Sequence, residues 1–259
     1  MSDAAAPHLS FVVPCYQGAG FVERSLERLD RYLREHADTL GSSEIVFVDD
    51  GSSDGTAEIV ERRFPGIRVI RHERNRGKGA AVRTGMLAAR GEFLFFTDAD
   101  VPYDLSPLPT MLDYLDRKEF HACIGTRSAS RVPTRVKRGL LRNLASFVFT
   151  EIVSRLVVTG IRDTQCGFKG FQREAARFLF GESRIDDFAF DVEVLYLAFK
   201  NDLDVKRVPV SLTVDDHSSV SLWRHAPAML ASLVRLPFRY HAGRYASYTG
   251  PTASEPGDG

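Results

Sequence analysis

Asp98 and Asp100 stand one residue apart at the end of the apolar run Glu92-Phe-Leu-Phe-Phe-Thr97. Two carboxylates at that spacing can share a hard divalent cation, directly or through water, while phosphate oxygens of a substrate complete the shell. An Asp-x-Asp triplet alone is a common accident, and a solvated turn or a helix cap uses the same residues. Its position adds weight, because a second acidic pair, Asp49-Asp50, closes the earlier apolar run Glu44-Ile-Val-Phe-Val48. Acids at the carboxyl ends of two strands suit a cation bound to a diphosphate. Gly77-Lys-Gly79 invites a rival reading as a phosphate cradle, but neither the Walker spacing nor G-x-G-x-x-G after the first strand is present. A nicotinamide dehydrogenase is therefore disfavoured. Lys78 can still reach a phosphate from a helix N-terminus, or be a solvated lysine on a loop.

The elements that must position these residues alternate along the first half of the chain. Short apolar runs at 9–13 (stopped by Pro14), 44–48, 67–70 and 92–97 read as strands. Helical spacing marks 21–40, 56–63 and 79–90. Nearly continuous apolar strands separated by helices predict a doubly wound α/β architecture, a mostly parallel sheet with helices on both faces. Further on, 122–126 reads as a strand, and a helix carries Val136, Leu140, Leu144, Phe147, Val148, Ile152 and Leu156. Residues 190–199 read as helix and 205–214 as one or two strands. The segment 223–236 is amphipathic, with Trp223, Ala226, Leu230, Leu233 and Val234 on one face. Such a face is usually core, although Trp223 between basic residues also suits an interface. The expected organisation is a flexible N-terminus (1–8), one domain (9–245) and a disordered tail (246–259). Within the domain, 9–126 is the nucleotide-binding half and 127–245 the acceptor-side half.

Composition narrows the function classes. The 259 residues hold 34 Lys+Arg against 34 Asp+Glu, a formal charge of zero that argues against a nucleic-acid partner. At 44% hydrophobic and 26% charged, the chain is too apolar to be disordered throughout. The most apolar segment, 147–161, contains Glu151 and Arg155, so no stretch approaches the roughly 18 residues of a membrane span. The start, MSDAAAPHLS, has no basic region followed by an apolar core and does not read as a secretory signal. Cys15, Cys123 and Cys166 form no metal-ligand spacing, and reduced thiols in a cytoplasmic protein are the simplest expectation. The neutral sum conceals segregation. Between Arg90 and Arg117 there are six acids and no Lys or Arg; between Glu119 and Glu151 there are six Lys or Arg and no acid; 217–254 holds four Arg and no acid. One acidic site and one or two basic surfaces follow.

Six motifs in order resemble those of glycosyltransferase family 2: Val12-Val-Pro-Cys-Tyr16, Val48-Asp-Asp-Gly-Ser-Ser-Asp-Gly-Thr56, Asn75-Arg-Gly-Lys-Gly79, Thr97-Asp-Ala-Asp100, Gly125-Thr-Arg127 and Arg162-Asp-Thr-Gln-Cys-Gly-Phe-Lys169. The last, with Phe190-Asp-Val-Glu-Val194, is most similar to the branch that glycosylates dolichyl and other polyprenyl phosphates. The resemblance spans 10–245 and implies a GT-A fold and an inverting transfer from a nucleotide sugar, UDP-glucose or GDP-mannose. It places Pro14 and Tyr16 beside the nucleoside and Asp50, with Asp49, on the base. Asp98 and Ala99 would lie by the sugar and ribose, and Asp100 would hold Mg²⁺ or Mn²⁺ with Asp98. Arg127 falls on the acceptor side, and 163–167, with Gln165, forms the loop beneath the donor sugar. The chain departs from many mannosyl transferases in having Val-Pro-Tyr rather than Leu-Gln after Asp100, and no segment of it reads as the membrane-spanning helix that many relatives carry.

These assignments imply a charge-based mechanism. A metal would offset the charge developing on the leaving diphosphate. A lipid phosphate, with a second pKa of about 6, is already an anion near neutral pH and needs no general base. A hydroxyl acceptor needs one, and Asp191 or Glu193 is the candidate; equally, Asp191 can cap the helix that follows, with Glu193 favoured in its first turn. Arg131 and Arg135 are candidates to grip an acceptor phosphate, with Lys137 and Arg138 against anionic lipid, although a solvated helix face explains the same residues. His217 would complete the metal shell, sit in a lid over the donor, or be solvated. The leading expectation is a cytoplasmic, membrane-peripheral transferase moving glucose from UDP-glucose to a polyprenyl phosphate. The alternatives are a polyprenyl-phosphate mannosyltransferase, a soluble transferase acting on a hydroxyl, and a non-catalytic nucleotide-sugar-binding protein.

Overall fold

The computed structural model describes residues 6–126, 166–213 and 222–250, without the side chains of 222–228 and 230. In chain order the elements are β1 (Leu9–Cys15), α1 (Val22–Glu35), α2 (Ala37–Leu40), β2 (Ser43–Asp49), α3 (Thr56–Arg63), β3 (Arg68–Arg71), α4 (Lys78–Ala88), β4 (Phe93–Phe96), α5 (Leu108–Asp116), β5 (Ala122–Thr126), β6 (Lys169–Gln172), α6 (Arg173–Glu182), α7 (Phe190–Lys200), β7 (Val205–Pro209) and α8 (Leu222–His241). The seven strands form one sheet in the order β3-β2-β1-β4-β6-β5-β7. Only β6 runs against its neighbours, pairing antiparallel with both β4 and β5.

The strands are apolar on both faces because both faces are covered. Val12, Val46, Leu94 and Phe96 point into a core shared with α4, α6, α7 and α8. Their alternates Phe11, Val13, Phe47, Phe93 and Phe95 point into a second core with α1 and α5. Phenylalanine rings tie the segments around β4 together: Phe96 packs on Phe171, Phe180 and Phe190, and Phe11 on Phe95 and Phe168. Among the described residues all three cysteines are free and buried.

Several boundaries differ from expectation for identifiable reasons. β1 continues through Pro14 to Cys15 because its pairing with β4 ends at Val12↔Phe96, so no ladder bond is lost at the proline on that side. The helix expected over 21–40 breaks at His36, which leaves helical geometry and stacks on Tyr32 at 4.0 Å. α5 was hidden by its prolines, which the first turn of a helix tolerates. β7 stops at Pro209, and among the described residues up to 213 a bridge between Tyr103 and Leu212 follows. On α8 the buried stripe is Met229, Leu233 and Leu236; Val234 faces outward, against the face drawn from sequence. The chain also stays docked beyond 245, with Tyr248 N–H donating to Asn201 Oδ1 at 2.8 Å. At the other end, His8 N–H donates to Ser42 Oγ at 3.1 Å. The helix expected from the apolar positions 136–156 lies outside the described residues.

Candidate active site

The acidic segments meet at the carboxyl ends of β1, β2 and β4, where β1 and β4 diverge, the position at which open α/β sheets bind ligands. Most polar groups of 49–56 join two loops. Ser52 Oγ accepts from Gln17 N–H at 2.9 Å, Thr56 Oγ1 from Gly18 N–H at 2.8 Å and Asp54 Oδ2 from Ala19 N–H at 3.0 Å. Asp50 is likewise committed: its carboxylate contacts His72 Nδ1 at 2.7 Å and accepts from the N–H groups of Arg76 at 2.9 Å and Gly77 at 2.8 Å. Asp49 differs. Its Oδ2 accepts from Ser52 N–H at 3.2 Å, while Oδ1 is buried without a hydrogen-bond partner. A buried, unpaired carboxylate oxygen at a strand end is costly unless a ligand completes it. Pro14 lies one residue before the end of β1, opposite Val48, and the Tyr16 side chain just beyond the strand is half exposed.

Asp98 and Ala99 follow β4, and Asp98 is clasped on three sides. Lys78, the first residue of α4, pairs its Nζ with Asp98 Oδ1; Tyr103 OH donates to Oδ2 at 3.2 Å; and Gly167 lies directly against the carboxylate while donating its N–H to Tyr103 at 2.8 Å. Burial alone would raise the Asp98 pKa, but Lys78, Tyr103 and Lys169 outweigh it and hold the carboxyl below its ordinary value. Val101, after Asp100, adopts φ 44°, uncommon for a β-branched residue, in a turn closed by Val101 N–H to Asp98 C=O at 2.9 Å. Arg28 reaches the Asp100 carbonyl from α1. The helix-terminus cradle suggested by the glycines takes another form: Gly79 N–H donates to Asp186 C=O at 2.8 Å, and a Cβ at Gly79 would strike the Ile185 carbonyl. Lys78 therefore approaches the site by its side chain.

Asp191 lies in the first turn of α7, not at its cap, and accepts from Lys169 Nζ at 2.5 Å. Burial pushes its pKa up, against the pull of Lys169 and Lys78. Glu193 is engaged elsewhere, accepting from the N–H groups of Arg184 and Ile185 and from Tyr245 OH at 2.6 Å. Cys15 is close by but inert, because burial, then Asp49, Asp54 and Asp100, push its thiol up to about 12. Sequence reasoning assigned no role in the site to Lys169, Tyr103 or Arg28, although Lys169 ends the last of the six motifs and Tyr103 closes the Val-Pro-Tyr that follows Asp100. Arg127, Arg131, Arg135, Gln165 and His217 lie outside the described residues.

The depressed Asp98 pKa has a sign that can be tested. It adds stability that is complete above the ordinary carboxylate range and is lost as pH falls through the depressed value. Melting temperature followed by circular dichroism should therefore fall less steeply below about pH 4 in Asp98→Asn than in the parent. Equal slopes would contradict the assigned ion pair.

An α/β sheet with its acids in the β1/β4 crevice has the arrangement of the GT-A glycosyltransferases, and comparison with known proteins agrees. In a solved complex with Mn²⁺, uridine diphosphate and glucosyl-3-phosphoglycerate, glucosyl-3-phosphoglycerate synthase of Mycobacterium tuberculosis shares the fold. The TM-score is 0.59 at 16% identity, over 96% of this chain and 89% of that one. Residues 10–180 match Glycosyl transferase family 2. A dolichyl-phosphate beta-glucosyltransferase of Dictyostelium discoideum is 36% identical over 247 residues, 91% of this chain and 76% of that protein. The Saccharomyces cerevisiae protein of the same name is 33% identical over 258 residues, 92% of this chain and 76% of that protein. The chain belongs to glycosyltransferase family 2 and is a glycosyltransferase, as its ordered motifs implied.

Proposed function

We propose that this glycosyltransferase moves glucose from UDP-glucose to a polyprenyl phosphate. The observation that carries the substrate assignment is identity of 36% and 33%, over nine-tenths of the chain, to two dolichyl-phosphate beta-glucosyltransferases. Asp98 and Asp100 would hold Mg²⁺ or Mn²⁺. The donor type fits such a cation: both are hard carboxylates, one residue apart just after β4, and diphosphate oxygens and water would complete the shell. When bound, the cation supplies positive charge to the departing diphosphate.

The remaining chemistry belongs to the chain. Lys78 adds a second cation beside Asp98, while Tyr103 and Gly167 fix that carboxylate. Asp49 Oδ1 is the acceptor available to a base N–H, since Asp50 is spent on 72–77. A phosphate acceptor attacks the anomeric carbon as an anion and needs no base. A hydroxyl acceptor would need a base within reach of its proton, whereas Asp191 is buried and held by Lys169 at 2.5 Å. Peripheral contact with an anionic membrane is supported by Val234 and Phe238, exposed one turn apart on α8 beside Arg235. No helix of the described residues is long and apolar enough to cross a membrane.

The test is a panel of UDP-glucose, GDP-mannose and UDP-GlcNAc against short-chain polyprenyl phosphate and a glycan hydroxyl, with Mg²⁺ or Mn²⁺. UDP-glucose with the phosphate acceptor should give the highest rate; no transfer to the phosphate from any donor contradicts the proposal. Separately, Asp49→Asn should weaken UDP binding about 10- to 100-fold by calorimetry, the effect of a lost hydrogen bond to a charged acceptor. Unchanged affinity would remove Asp49 from the base site.

A further inference from the structure

Lys169 and Asp191 form an ion pair whose side chains are only 1% and 4% exposed. Burying two charges is expensive, and a pair of well-packed apolar residues is often the more stable choice, so the pair calls for a reason beyond folding. Lys169 opens β6 opposite Phe96, the last residue of β4, with its ammonium 5.4 Å from the centre of that ring. Its Nζ also donates to Cys166 C=O at 2.5 Å, which fixes where the charge sits. Asp191 does not act on Lys169 alone. Lys78 Nζ lies 5.9 Å from the ring centre of Phe190, the residue before Asp191, so the Asp191 charge acts on Lys78 as well, after that of Asp98, and Lys78 is the lysine paired with Asp98. Without Lys169, a buried carboxylate in the same cluster would pull on Lys78 and repel any anion that Lys78 attracts.

We propose that Lys169 is a positioning residue for the donor: by neutralising Asp191 inside the protein, it leaves Asp98 as the carboxylate that Lys78 answers to, so that the Lys78 ammonium beside Asp98 can also face the nucleotide's diphosphate. This rests on the reading of the donor as a nucleoside diphosphate sugar. The role differs from that of a structural ion pair, because removing Lys169 should weaken anion binding, and removing Asp191 as well should restore it.

The experiment is calorimetry of UDP with Mg²⁺ on the parent, Lys169→Met, Asp191→Asn and the double variant. Lys169→Met should bind UDP about tenfold more weakly. The double variant should recover to within about threefold of the parent, a coupling that independent sites do not show. Asp191→Asn alone, which leaves the Lys169 charge unopposed, should bind UDP about threefold or more tighter than the parent, and it decides the matter if Lys169→Met fails to fold. The inference is overturned if Lys169→Met binds within about threefold of the parent, if the double variant gains less than about threefold over Lys169→Met, or if Asp191→Asn binds no more tightly than the parent. Should the parent itself not bind UDP, it is the donor assignment that fails.

Discussion

Asp100→Ala should lower glucose transfer by about a thousandfold or more while leaving the fold intact. The reason is the position of the side chain. Asp100 is exposed; Arg28 reaches its backbone carbonyl, which alanine retains, and feels the charge of its carboxylate, which alanine removes. An exposed charge pair of this kind contributes about 1 kcal/mol or less to stability. The loss at the transition state is larger: with one of two carboxylates gone, the cation that offsets the leaving diphosphate is poorly held, and such charge stabilisation is worth several kcal/mol. The contrast is Asp191→Asn. If the acceptor is a phosphate, that variant transfers sugar to polyprenyl phosphate far better than Asp100→Ala; if the acceptor is a hydroxyl, the two fall together. Steady-state transfer rates with matched melting curves check both, and an Asp100→Ala rate within about tenfold of the parent would contradict the metal role.

Gly167→Ala should cost about a hundredfold in kcat/KM. A Cβ at this position would stand 2.2 Å from Asp98 Oδ2 and 2.4 Å from its Cγ, far inside contact distance. The carboxylate cannot retreat without leaving Lys78 and Tyr103, and Tyr103 is itself held by Gly167 N–H. Misplacing a catalytic group by about 1 Å is enough for a loss of about a hundredfold. Gly181→Ala is the control, since a Cβ there meets nothing within 4 Å; it should leave transfer unchanged. Equal rates for the two variants would show that Asp98 is not held where the site requires it.

The two groups of variants also show what was legible in the sequence. The doubly wound sheet could be read because β2, β4 and β5 are apolar on both faces, and α3 and β5 have the bounds that their patterns predict. β6 was missed because Lys169-Gly-Phe-Gln172 looks like neither strand nor core; its lysine is buried only because Asp191, on another element, neutralises it. Asp98 and Asp100 were legible as acids closing a strand. The partners that define Asp98 were not, because Lys78, Tyr103 and Gly167 converge only when β1, β4 and β6 pair. Asp50 carries a part that its position beside the expected ligand edge did not show: its carboxylate organises 72–77. Backbone N–H groups, which leave no mark in a sequence, supply two of its partners.

The most direct measurement is the product itself: purified protein, UDP-α-glucose, short-chain polyprenyl phosphate and Mg²⁺, with the product examined by mass spectrometry and its anomeric configuration by NMR. The account predicts a polyprenyl phosphate heavier by one hexose, β-linked, and absent when the metal is chelated. An α-linked product, or hydrolysis of the donor with no sugar on the phosphate, would contradict it.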